Sequence, residues 1–175
     1  MLRAFRLPDQ SEFNIINSMK QVVYVETSVI SYLTSRKSQD IIVAAHQEIT
    51  RKWWEERRGR FDPVISELVY REASGGDPDA SAARMAAIGD LRILKINDAA
   101  LHLAERLISK GPIPRQYAED ALHIAVAAVS GVDYLLTWNC KHLANAAHRA
   151  MIESVVDEAG YACPIICTPE ELLED

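Results

Sequence analysis

From residue 21 onward, short runs of branched and aromatic residues alternate with longer stretches of helical period, and this alternation narrows the fold more than any other feature. QVVYVE reads as a short buried strand, because valine and tyrosine fit a pleated, covered surface. SVISYLTS continues as a turn or two of helix with Ser28 as its N-cap. Over residues 40–58 no glycine or proline intervenes, and Ile41, Ala44, Ala45, Ile49 and Trp53 recur at helical spacing. That predicts one long helix. A strand over 63–65 then gives way to a helix capped by Ser66, running through Ala73 and stopped at Gly75 and Gly76.

The same rhythm carries on to the end. DPDASAARMAAIGDL predicts a helix, LRILKI a strand, and NDAALHLAERLISKG a helix capped by Asn97 and stopped by Gly111. QYAEDALHIAVAAVSG follows as a helix and DYLLTW as a strand. A helix over 148–159, the strand PIICT and a short capped helix in PEELLE complete the order. Strands that alternate with helices in this way belong to an α/β fold, with a mainly parallel central sheet and helices on both faces. The expected organisation is an N-terminal arm over residues 1–20, which lacks a sustained period, and a single domain over 21–175.

Composition excludes several classes. A chain of 175 residues, 49% apolar and 25% charged, suits one soluble domain with its own core. Its apolar runs fall short of the roughly 20 residues needed to cross a membrane. The first 20 residues are mixed and polar, without the apolar stretch of a secretory signal. Cys140, Cys163 and Cys167 form an odd set with no framework, as expected of reduced thiols in a cytoplasmic protein. The net charge of -6 announces no basic belt, although a local patch matters more than the sum.

In open parallel sheets ligands bind beyond the carboxyl ends of the strands, so polar residues just after each strand are the ones to collect. Glu26 follows QVVYV, and Asn139 follows DYLLTW. Ser66 and Glu67 follow PVI, and Glu72 stands further along the helix they start. Asp120 sits where QYAEDALHIAVAAV turns apolar. Carboxylates gathered at one edge repel each other unless a cation neutralises them. Mg²⁺ or Mn²⁺, held by oxygen ligands and several waters, is the natural occupant. Such an ion activates water and polarises a phosphodiester. The sequence holds no glycine-rich phosphate loop, no Walker lysine and no GxSxG elbow, which argues against nucleotide binding and serine chemistry.

The order of these motifs is familiar. Strand-acid-Thr-Ser, Ser-x5-Glu on a helix, D-A-L-H-I-A and L-L-T-W-N together resemble the PIN domain, and more narrowly the VapC-type toxins of type II toxin–antitoxin systems. The resemblance spans residues 22–143. It implies a metal-dependent endoribonuclease that hydrolyses RNA phosphodiesters, with a cognate antitoxin protein and a homodimeric state. Carried over residue by residue, it implies a Mg²⁺ or Mn²⁺ site made by Glu26, Glu72 and Asp120, with Asn139 as an auxiliary ligand or water-positioning group. Thr27 or Ser28 would steady the first acid or a bound water. Two departures stand out: Glu26 replaces the usual Asp, and Asn139 replaces a fourth acid. With about three formal negative charges, one ion is expected to dominate. The alternative is a weakened PIN-fold module that binds RNA or a protein partner without cleaving.

Other features are less decisive. TRKWWEERRGRF joins five basic residues to Trp53 and Trp54, as a grip on RNA, an anchor for a partner, or a solvated helix with one tryptophan in the core. His142, beside Lys141, could contact a phosphate or simply begin a helix. His123, three residues after Asp120, fits a hydrogen-bonded core histidine best. An aspartyl phosphatase would want a D-x-D pattern after the first strand, and Glu26-Thr27-Ser28 does not supply one.

Overall fold

The structure, a computed structural model, describes residues 20–173. The expected arm therefore lies, except for Lys20, outside the described residues. Five strands form one sheet: β1 (Val22–Val25), β2 (Asp62–Ser66), β3 (Arg92–Leu94), β4 (Tyr134–Leu136) and β5 (Ile165–Cys167). Their spatial order is β3-β2-β1-β4-β5, and every pairing is parallel. Between them run seven α-helices among the described residues: α1 (Thr27–Thr34), α2 (Ile41–Lys52), α3 (Glu67–Ala73), α4 (Pro78–Ile88), α5 (Asp98–Ser109), α6 (Ala118–Val129) and α7 (Ala146–Glu158).

The order of strands explains the layers. The chain steps from β1 outward to β2 and β3, then crosses back to β4 and on to β5. Parallel crossovers are right-handed, so the two directions of travel place their helices on opposite faces. Accordingly α1 packs against α2, α3 and α4, while α5 packs against α6 and α7. β1 lies at the centre, and Val23, Tyr24 and Val25 have no exposed surface. The reversal of direction at β1 creates a switch point, where the carboxyl ends of β1 and β4 open a crevice.

Local chemistry sets most boundaries, and Ser66 and Asn97 cap their helices as expected. Asp40, Ser66, Asp77 and Asn97 each cap a helix through a side-chain oxygen. Gly76 takes φ +82° after α3, a conformation that disfavours any side chain. Two expectations are corrected. The cap of α1 is Glu26, whose carboxylate accepts from the Ser28 N–H, so Ser28 lies inside the helix. The long helix over 40–58 is regular only to Lys52; it widens into a π-helical segment over Trp53–Arg57 and then tightens into a 3₁₀ turn over Arg58–Arg60. Trp53 enters the core there, and Arg58 lies 4.5 Å over the Trp54 ring while pairing with Asp90.

Candidate metal centre

The central feature is Glu26, just beyond β1 and only 7% exposed. Its backbone N–H extends the sheet by donating to Leu136 O, which fixes the carboxylate over the crevice between β1 and β4. A buried carboxylate needs donors. Glu26 has three: the Ser28 N–H at 3.0 Å, the Ser28 hydroxyl, and the Thr137 hydroxyl at 2.7 Å. Thr137 also accepts from the Asn139 N–H at 2.9 Å, and Ser28 Oγ accepts from the Trp138 N–H at 2.9 Å. The start of α1 and the end of β4 are thereby laced together around one acid.

Glu72 reaches the same place from α3. The Thr27 hydroxyl donates to its Oε2, and His123 Nε2 lies 3.3 Å from that atom. Burial pushes the Glu72 carboxyl up, but the His123 hydrogen bond and charge, the Thr27 hydroxyl and Arg71 outweigh it and hold the group below its usual range. His123 Nε2 is also 4.0 Å from Glu26 Oε1. Donor atoms of Glu26, Glu72 and His123 all fall within 4.8 Å of one another. Two half-buried to buried carboxylates at such range suit a small, hard divalent cation. A cavity of about 490 Å³ opens beside them, walled along α1 by Ser31, Tyr32 and Ser35.

Asp120 and Asn139 form a second pair close by. Asn139 Nδ2 donates to Asp120 Oδ1 at 3.0 Å. Burial raises the Asp120 carboxyl; the charge of Glu26 adds to this, and Asn139, His142 and His123 partly offset it. The Asn139 carbonyl oxygen, expected as a ligand, accepts from the His142 N–H at 3.1 Å. The His142 ring stacks on Tyr117 with centroids 3.8 Å apart. Glu67 stands apart, bound to Lys95 and the Ile96 N–H beyond β3.

Three further residues take their place around the acids only through the fold, among them His123, which is the hydrogen-bonded core histidine expected of it. Thr137 lies within the quoted L-L-T-W-N, yet its role as donor to Glu26 depends on the pairing of β4 with β1. His123 is 2% exposed and faces the carboxylates. Tyr24 reads as an apolar strand residue, but its hydroxyl lies 2.8 Å from His123 Nδ1 and 2.6 Å from Ser66 Oγ. The cysteines stay outside the centre: burial pushes the Cys163 and Cys167 thiols up to about 12, so neither is an available thiolate. No helix among the described residues is long and apolar enough to cross a membrane.

No protein-family model matches the chain, and no curated protein matches it. Among solved structures it is similar to VapBC2 from Rickettsia felis bound to a DNA fragment from its promoter, at 13% identity with a TM-score of 0.48, over 85% of this chain and 98% of that one.

Proposed function

We propose that the protein is a metal-dependent endoribonuclease of the PIN/VapC toxin type, which hydrolyses RNA phosphodiester bonds at the crevice between β1 and β4. One observation carries the reading. Glu26 and Glu72, from distant segments, bring carboxylate oxygens within 4.8 Å of each other and of His123 at the switch point of a parallel sheet, and Asp120 stands near enough for the charge of Glu26 to act on it. Clustering acids around a crevice is costly without a cation.

Glu26 and Glu72 would hold a Mg²⁺ or Mn²⁺ ion, with Asp120 beside them. Held there, the ion would supply polarisation of the phosphodiester and stabilisation of developing charge. Ser28 and Thr137 keep Glu26 pointed into the crevice, and Thr27 does the same for Glu72. Asn139 orients Asp120 through its amide N–H. Asp120, whose carboxyl burial raises, would complete the acidic set around the ion. The motif resemblance supplies RNA as substrate, a cognate antitoxin and a homodimer, and the three free cysteines suit a cytoplasmic location.

The test compares wild type with Asp120→Asn on single-stranded and structured RNAs, with Mn²⁺ and with chelator. Cleavage by the wild type that needs the metal and falls at least 100-fold in the variant is expected. Equal cleavage by both proteins overturns the reading. Tight Mn²⁺ binding without any cleavage by the wild type leaves instead the binding module, which the pairing of Asp120 with a neutral Asn139 would favour.

A further inference from the structure

We infer that His123 is a direct ligand of the metal through Nε2, which makes the centre a mixed nitrogen–oxygen site that selects Mn²⁺ over Mg²⁺; this rests on the metal-site reading above.

The placement of the ring comes first. His123 projects from α6 into the space between Glu26 and Glu72, with Nε2 at 4.0 and 3.3 Å from their oxygens. Adjacent donors around a six-coordinate ion with bonds of ~2.1 Å stand ~3 Å apart. The Glu72–His123 separation is close to that figure. The imidazole is 2% exposed, so bulk water does not compete for Nε2.

The opposite nitrogen is held by a pair of hydroxyls. Tyr24 Oη lies 2.8 Å from Nδ1, and Ser66 Oγ lies 2.6 Å from Tyr24 Oη. Both hydroxyls belong to neighbouring strands whose register sets Tyr24 beside Val64. A hydroxyl both donates and accepts, so the chain runs in either direction. In one, Ser66 donates to Tyr24, Tyr24 donates to Nδ1, and Nε2–H donates to Glu72. In the other, Nδ1–H donates to Tyr24, Tyr24 donates to Ser66, and Nε2 presents its lone pair to the crevice. Metal-ligating histidines typically donate their other N–H to such a partner, which fixes the tautomer.

The selectivity follows from the donor. Imidazole nitrogen contributes to binding by the transition metals far more than by Mg²⁺, which prefers oxygen and retained water. An all-carboxylate centre would separate the two ions less.

The experiment reads the ligand directly. Full-length protein, uniformly ¹⁴N and then labelled with ¹⁵N-histidine, is loaded with Mn²⁺ and measured by pulsed electron paramagnetic resonance. The expected result is a directly coordinated histidine nitrogen, whose ¹⁴N coupling is replaced by ¹⁵N on labelling and is absent in His123→Gln. Titration calorimetry should show the Mn²⁺/Mg²⁺ affinity ratio falling at least tenfold in that variant. Should His123→Gln fail to fold, His142→Gln takes its place: a retained coupling supports His123, and a lost one overturns the assignment. Mn²⁺ bound to the wild type without histidine coupling overturns the inference and leaves the carboxylate site intact. No Mn²⁺ binding at all overturns both.

Discussion

Asn139 turns its amide nitrogen to Asp120, 3.0 Å away, and its oxygen to the His142 N–H. The residue that stands where the resemblance implies a fourth acid therefore works as a donor to the third. Replacing it by a carboxylate removes that donor and sets two like charges side by side. Asn139→Asp should lower the melting temperature of the metal-free protein and raise the response to Mn²⁺. Saturation at about 100 times Kd stabilises a protein by ~2.7 kcal/mol. For a chain of this size that is roughly 5–10 °C. The variant should exceed the wild-type rise, in thermal scans with and without Mn²⁺; an equal or smaller rise would place residue 139 outside the metal's reach.

Asp120→Asn should stabilise the metal-free protein at neutral pH. Burial raises the folded-state pKa of Asp120 above its ordinary 3.8, so the folded state binds the proton more readily than the unfolded one. Wild-type stability therefore declines as pH rises through that interval, and an amide avoids the loss. The gain should be a few degrees, at roughly 2–4 °C per kcal/mol. It should shrink as pH falls through the raised pKa toward 3.8, and Mn²⁺ should offset it by stabilising the wild type more than the variant. Melting curves from pH 7.5 to 4 decide the matter; a variant less stable at pH 7 contradicts the account.

Glu72→Gln should behave in the opposite sense. The folded-state pKa of Glu72 lies below its ordinary 4.5, so its contribution is present above 4.5 and is lost as pH falls through the lower folded value. Hydrogen bonds to a charged group contribute about 1.5–3 kcal/mol, and partial exposure reduces this. The variant should melt a few degrees lower at pH 7, with the gap closing below pH 4.5. A gap that persists unchanged in acid would assign the loss to packing instead of charge.

How far the sequence discloses this arrangement depends on the range of each interaction. Ser66, Asp77 and Asn97 cap helices by reaching three residues along the chain, so their roles are written locally. The face of α2 is different. Helical spacing predicts a core position for Ile41, which is 83% exposed, while Gln47 and Thr50 are buried. Gln47 bonds Ser35, Arg36 and Ser38 in the preceding loop, and Thr50 accepts from the Trp138 indole. Polar groups become core residues where distant partners satisfy them, and hydrophobic period cannot register that. The same limit hides Tyr24 and Thr137, whose hydroxyls acquire meaning only once the strands are in register. Glu26 was conspicuous because a lone acid ends an apolar strand. Its second duty, capping α1, follows from the same position.

Thr137→Val isolates the support of Glu26 from its charge. Valine has nearly the same shape and fills the same fully buried site, so packing is retained. Three hydrogen bonds disappear: the one donated to Glu26 Oε2, the one accepted from the Asn139 N–H, and a long one of 3.4 Å shared with the Ser28 hydroxyl. Losing partners for buried polar groups costs about 1–3 kcal/mol each. Glu26 keeps its two bonds from Ser28, so the carboxylate stays at the centre but gains freedom to turn. Residues that orient a ligand typically change metal affinity by about 10–100-fold when removed. Mn²⁺ affinity by calorimetry should fall within that span, while circular dichroism keeps its wild-type shape and the melting temperature drops by several degrees. Unchanged Mn²⁺ affinity in a protein that melts lower would make Thr137 a strut of the fold alone, and would remove Glu26 from the set of residues that hold the ion.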